Sequence, residues 1–176
     1  FFFKQKTAYV VSAWLVGSEM GISDRYTTFA RGDLSDASLR ASRRHRAFGG
    51  FSMGATTTWD VFALRPQYFY GYMPMAGESW IGHADDADEE RIGQLVTDGG
   101  LRAGHGPSDF RILAPVGSED PALWDMTPQL DELYQDYPDL MTESSLQVWI
   151  DDGEDHSMTS VCNQVAHNLP LLFPHS

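Results

Sequence analysis

From residue 45 onward, short continuous apolar runs alternate with segments whose apolar positions recur every three or four residues. The runs are His45–Phe51, Tyr70–Ala76, Phe110–Val116 and Leu146–Ile150. They are too evenly apolar for strands with one wet face, so they read as strands of a mostly parallel sheet covered on both sides. Between them, Met53–Leu64 has helical character and stops before Pro66. Asp88–Thr97 puts Ile92, Leu95 and Val96 on one face, and its expected stop is Gly99-Gly100. Thr127 followed by Pro128 reads as a helix start, with Leu130, Leu133, Tyr134 and Tyr137 as the buried stripe. Ser157 reads as the cap of a last helix whose Val161, Val165 and Leu169 face inward and which Pro170 ends. The stretches Gly82–Asp86 and Gly100–Asp109 read as loops. The fold class that follows is α/β, built of β/α units around a mostly parallel sheet with flanking helices. Periodicity does not give the order of the strands.

Composition narrows the function classes. The chain has 176 residues, 42% hydrophobic, enough to bury a core. Its formal net charge is −13, from 25 acidic and 12 basic residues. That balance argues against a nucleic-acid partner, which draws on a basic surface, and favours a neutral substrate. No apolar run approaches the roughly 20 residues a membrane-spanning helix needs. The single cysteine, Cys162, excludes an internal disulfide and reads as a core filler. The acidic clusters Asp85–Glu90 and Asp151–Asp155 lack the ligand spacing of a calcium loop, and neither a metal nor a cofactor is expected.

The first 24 residues stand apart. Lys4 and Lys6 are the only lysines, whereas all ten other basic residues, from Arg25 to Arg111, are arginines. Residues 1–24 therefore read as a segment of different origin from the remainder. The apolar run Ala8–Gly17 behind two lysines has the pattern of a signal peptide. FFFKQKTAY and LVGSEMGISDRY resemble translated sequencing-adapter read-through more closely, and a secretory assignment from this segment is not made.

Gly50-Phe51-Ser52-Met53-Gly54 is a G-x-S-x-G pattern. Alone it is weak, with about one chance match expected in ten chains of this size. Its setting strengthens it, because an apolar run precedes it and a helical segment follows, the strand–turn–helix of a nucleophile elbow. The two glycines are expected to remove Cβ clashes in the strained turn. The turn would expose the Ser52 hydroxyl and present the Met53 N–H as an oxyanion donor. In such a fold an acid and then a histidine follow the serine, each after a strand. Asp120 follows the third strand and His156 the fourth. His45 lies at the wrong end of its strand, His83 and His105 precede the acid, and His167 and His175 lie within or beyond the last helix. Asp120 would hold His156 in the tautomer that accepts the serine proton.

These blocks carry a family resemblance. His45–Gly54 resembles the nucleophile block of the feruloyl esterase and acetylxylan esterase type of carbohydrate esterase, the esterase-D-like group. The likeness continues through Tyr72–Trp80, Gly117–Asp120, His156 and the Leu169–Phe173 tail, over roughly residues 40 to 175. It implies a partial α/β-hydrolase fold in residues 25–176, the C-terminal portion of a catalytic domain. It further implies Ser52, Asp120 and His156 as a triad acting on feruloyl or acetyl esters of plant polysaccharide, Trp80 beside the acyl pocket, and an extracellular setting. Three departures qualify it. Ala55 stands where the family has glycine, and Ser157, Met158 and Thr159 replace the aromatic residues common after the catalytic histidine, which weakens the aromatic-acid reading. The strands that precede the nucleophile, with the loop supplying a second oxyanion donor, have no counterpart here. Loss of such a donor costs about 10²–10³ in rate.

The alternatives left open are a non-catalytic fragment that binds carbohydrate or pairs as a homodimer through an open sheet edge, and an S-formylglutathione hydrolase-like thioesterase. The Ser52 strand would lie at that edge unless residues 8–16 or a second chain cover it.

Overall fold

The computed structural model describes residues 35–81 and 92–173. The segment 1–24, the acidic cluster 85–90, the first residues of the helix expected from 88, and His83 and His175 lie outside the described residues. Four strands, β1 (Ala47–Phe51), β2 (Gly71–Met75), β3 (Arg111–Gly117) and β4 (Leu146–Asp151), form one sheet in the order β1-β2-β3-β4, and every neighbouring pair is parallel. All four coincide with the apolar runs in the sequence. β2 is buried at every residue and β3 at all but Arg111, as both-face coverage demands, whereas β1 and β4 are only partly buried because each has one paired neighbour among the described residues.

The helices are α1 (Asp36–Ala41), α2 (Met53–Leu64), α3 (Ile92–Arg102), α4 (Ala122–Asp136) and α5 (Met158–Asn168). Strand alternation divides the core in two. Tyr72, Ile112, Ala114 and Val116 meet Trp59 and Phe62 of α2, Val96 of α3, and Met126, Leu130 and Leu133 of α4. Met73, Met75 and Leu113 point to the opposite face, where Leu172, Val165 and Leu169 cover them.

Four expectations need correction, the first being Cys162, which is exposed on α5 and is not a core filler. α3 does not stop at Gly99-Gly100 but runs through to Arg102 and ends at Gly104, which has φ +69°. The reason is packing: a Cβ on Gly99 would lie 1.8 Å from the carbonyl oxygen of Ala63, so this glycine lets α3 press against the backbone of α2. α4 begins at Ala122, not at Thr127-Pro128, and carries Pro128 inside it. The Asp120 carboxylate anchors its start by accepting from the Ala122 N–H at 2.9 Å, and Thr127 turns its hydroxyl onto the Leu123 carbonyl at 2.6 Å. The stripe holds in part, for Leu130 and Leu133 are buried while Tyr134 and Tyr137 are half-buried. In α5 the most deeply buried positions are polar: Ser160, Gln164 and Asn168, spaced four apart. Gln164 donates to the Ser160 hydroxyl and Asn168 to the Gln164 backbone carbonyl, which satisfies part of this row, while the Gln164 side-chain oxygen is buried without a partner; Val161, Val165 and Leu169 are only half-buried. Ser157 does cap this helix, accepting from the Ser160 N–H at 3.3 Å.

Gly99→Ala should destabilise the chain by about 2 kcal/mol or more, since the contact is backbone and cannot rotate away. Urea unfolding followed by circular dichroism measures this, and a midpoint equal to that of the wild type would contradict it.

Candidate active site

A parallel sheet sends every outgoing loop to one rim, and the sequence-predicted residues all follow strand ends there. Ser52 links β1 to α2 in a left-handed conformation, φ 57° and ψ −120°. Such a non-glycine residue costs about 1–3 kcal/mol. Three hydrogen bonds hold it: its N–H donates to the Met75 carbonyl at 2.9 Å, and its carbonyl accepts from the N–H groups of Ala55 at 2.8 Å and Thr56 at 3.3 Å. At about 0.5–1.5 kcal/mol each, they suffice to offset the strain.

The two glycines of the motif contribute unequally. A Cβ on Gly50 would lie 2.6 Å from the Gly54 carbonyl oxygen, whereas a Cβ on Gly54 would meet nothing. A third glycine, absent from the motif, matters as well. Gly77 follows β2, and a Cβ there would sit 2.9 Å from the Ser52 carbonyl oxygen and 3.0 Å from the Ala55 Cβ. The β2 exit thus lies directly on the turn. The spacing of the motif could not show this, because the contact joins residues 25 positions apart.

Asp120 and His156 are brought together. His156 Nδ1 is 2.9 and 2.8 Å from the two carboxylate oxygens of Asp120, whose side chain is fully buried while the imidazole is exposed. Two loops create this pair. The Ser118 N–H donates to the Asp151 carbonyl, the Glu119 N–H to the Glu154 carbonyl, and the Gly153 N–H to the Ser118 hydroxyl at 2.8 Å. A Cβ on Gly117 would stand 2.1 Å from the Glu154 carbonyl oxygen, so glycine is what admits the second loop. The imidazole also packs on the ring of Phe51, the residue before Ser52, with centroids 4.4 Å apart. Met53 is the first residue of α2, where N–H groups have no acceptor within the helix.

The other described histidines lie elsewhere. His45 ends a 3₁₀ turn before β1, His105 precedes β3, and His167 stacks on Trp149 at 4.2 Å.

Trp80 lies on the loop after β2, its indole N–H donating to Glu78. The preceding turn is fixed by Trp59, which donates to the Gly77 carbonyl, and by Gln129, which accepts from the Ser79 N–H at 2.7 Å. Each strand exit carries one large apolar side chain left in solvent: Met53 at 70% exposure, Trp80 at 48%, Trp124 at 80% and Met158 at 73%. Trp124 escaped the sequence reading because the helix was expected to start at Thr127, which left Trp124 outside any element, whereas it lies in the first turn of α4.

No family model matches the chain. Among characterised proteins it is 28% identical over 156 residues to endo-1,4-beta-xylanase Y of Acetivibrio thermocellus, a match spanning 86% of this chain and 14% of that protein. The feruloyl esterase module from Clostridium thermocellum, solved as a serine-to-alanine mutant complexed with sinapinate, superposes with a TM-score of 0.71 at 26% identity, over 81% of this chain and 52% of that one. A solved structure of FAE superposes with a TM-score of 0.70 at 28% identity, over 79% and 49%. An S-formylglutathione hydrolase from Staphylococcus aureus, at 15% identity and a TM-score of 0.57 over 74% and 55%, shares the fold. The chain thus spans about half the length of the solved structures it matches, and its architecture is that of a partial α/β-hydrolase resembling feruloyl esterase modules.

Beneath the Trp80 loop, burial raises the pKa of Asp60, and a hydrogen bond from Ser79 partly opposes the shift. One carboxylate oxygen of Asp60 is buried with no hydrogen-bond partner. A carboxyl whose folded pKa lies above its unfolded value of 3.8 weakens the fold as pH rises past that value. Asp60→Asn should therefore raise the melting temperature at pH 7, and the gain should vanish as pH falls below 3.8. Thermal melts across that range test this, and a gain independent of pH would refute the assignment.

Proposed function

We propose that this chain is a serine carboxylic-ester hydrolase working through an acyl-enzyme, with Ser52 as nucleophile, His156 as general base and then acid, and Asp120 as the group that orients the histidine. The observation that carries this reading is the buried carboxylate of Asp120 on His156 Nδ1, at the rim where Ser52 is held in its strained turn. With Nδ1–H donating to Asp120, the imidazole presents an unprotonated Nε2 to the serine hydroxyl. Ser52 then attacks the ester carbonyl, and His156 takes its proton and passes it to the leaving alcohol. Water, activated by the same imidazole, attacks the acyl-serine and regenerates the hydroxyl. The Met53 N–H serves as one donor to the tetrahedral oxyanion.

The substrate we propose is an uncharged ester with a feruloyl or acetyl group on plant polysaccharide. The likeness to a feruloyl esterase module and to a xylanase supports the class. The exposed Trp80, Trp124, Met53 and Met158 support an apolar acyl group, because they surround the strand exits with surface suited to an aromatic ring. The carboxylates of Asp151, Asp152, Glu154 and Asp155 beside His156 disfavour an anionic ester. The likeness to S-formylglutathione hydrolase, at 15% identity, supports the fold and not a thioester substrate.

Ser52→Ala should abolish both p-nitrophenyl acetate hydrolysis and labelling by a fluorophosphonate, and wild-type activity no higher than that of the variant would end the enzyme reading. Asp120→Asn keeps an acceptor for the Ala122 N–H but offers the histidine the wrong partner, so kcat should fall by about 10⁴ with the fold intact. Trp80→Ala should raise KM for methyl ferulate more than for p-nitrophenyl acetate; equal effects on both would remove Trp80 from the acyl pocket.

A further inference from the structure

At the opposite rim, the C-terminal ends of α2 and α3 line an open cavity of about 580 Å³ together with the turns that lead into β1 and β2, with Arg40, Arg65 and Arg102 exposed at its surface. That volume lies within the range of small-ligand sites. Its wall carries Arg40, Arg43, Arg65, Arg102 and His105, and among the described residues no acidic side chain lines it. In a chain of net charge −13 this concentration runs against the composition.

Ordinary structural demands account for only part of the charge. Arg40 is matched by Asp36 at 2.7 Å. Arg43 is fixed by the backbone carbonyls of Pro66 and Asp109, which position its guanidinium without neutralising it. Arg65 donates to the Leu64 carbonyl at the end of α2, and Arg102 has no hydrogen-bond or ion-pair partner among the described residues. Two helix C-termini bring about half a negative charge each. Of four guanidinium charges, one is cancelled by Asp36 and about one by the helix ends, so about two remain. The neighbouring Arg44–Asp109 pair, 3.2 Å apart, cancels itself. Burial lowers the pKa of Arg43, with Tyr72 and Asp109 opposing, and burial together with the charge of Arg43 lowers that of His105, with Asp109 opposing.

We propose that this cavity is an oxyanion-binding site for a small ligand bearing about two negative charges on carboxylate or phosphate groups, held by Arg43, Arg65 and Arg102. Guanidinium groups bind both oxyanions through paired N–H donors, and the Gln67 side chain in the same wall adds a neutral donor. The site is separate from the candidate active site. α2 runs between them, with Ser52 at its N-terminus and the cavity at its C-terminus, a span of about 18 Å.

Isothermal titration of the chain with sodium phosphate, succinate and malonate, each about doubly charged at a mildly alkaline pH, at an ionic strength fixed with sodium chloride, tests the proposal. We expect saturable binding of at least one of them at one site per chain. The identity of that ligand distinguishes a phosphate source from a carboxylate one. Arg65→Gln combined with Arg102→Gln should weaken the binding by about tenfold or more. Arg111→Gln, outside the cavity, should leave it unchanged, and circular dichroism verifies that each variant folds, with Arg102→Gln alone as the milder substitute. Heats that never saturate with any of the three, or undiminished affinity in the folded double variant, would overturn the site.

Discussion

Parallel strand pairing is the constraint from which the rest follows. Because β1 to β4 all run the same way, the chain must return across the sheet between each pair, and every return begins at the same rim. Ser52, Gly77, Asp120 and His156 are separated by tens of residues, yet each follows a strand end and so shares that rim. The arginine-lined cavity is the complement of the same rule, gathering the points where returning segments re-enter the sheet. One directional choice thus separates two chemically opposed surfaces, with an acidic and apolar rim at one end and a cationic recess at the other.

What turns adjacency into contact is the removal of side chains at a few backbone crossings. Gly50 makes room for the Gly54 backbone, Gly77 for Ser52, Gly99 for Ala63 and Gly117 for Glu154. At each of these positions a single methyl group would overlap backbone rather than a movable side chain. The hydrogen bonds that hold Ser52 in its left-handed conformation, and those that lace the Asp120 and His156 loops together, depend on these approaches.

The strands were legible in the sequence because both-face burial writes itself as an unbroken apolar run, and α2 because Ser52 and Pro66 bound it. The Asp120–His156 pair was legible because each residue follows a strand end in chain order, and the resemblance to feruloyl esterases rests on the same blocks. The misread features share one physical cause. Gly99, read as a stop, serves a neighbour 36 positions away. The start of α4 is secured by Asp120, a residue that also faces His156, so the pattern around Pro128 misled. In α5 the buried row Ser160, Gln164 and Asn168 defeats any hydrophobic periodicity, because polar side chains occupy it, linked by hydrogen bonds that leave the Gln164 side-chain oxygen unpaired. Local propensity does not encode contacts between distant segments, and the arginine cavity was invisible for the same reason.

The carboxylate of Asp120 bears on both architecture and chemistry, since it anchors the first N–H of α4 as well as the imidazole. If the proposed hydrolysis were lost in a descendant of this chain, an acceptor there would still be needed to hold α4, whereas the contorted backbone at Ser52 would be free to relax. Among divergent copies, survival of the acid would therefore track fold maintenance, and survival of the hydroxyl on its strained turn would be the better gauge of selection for turnover.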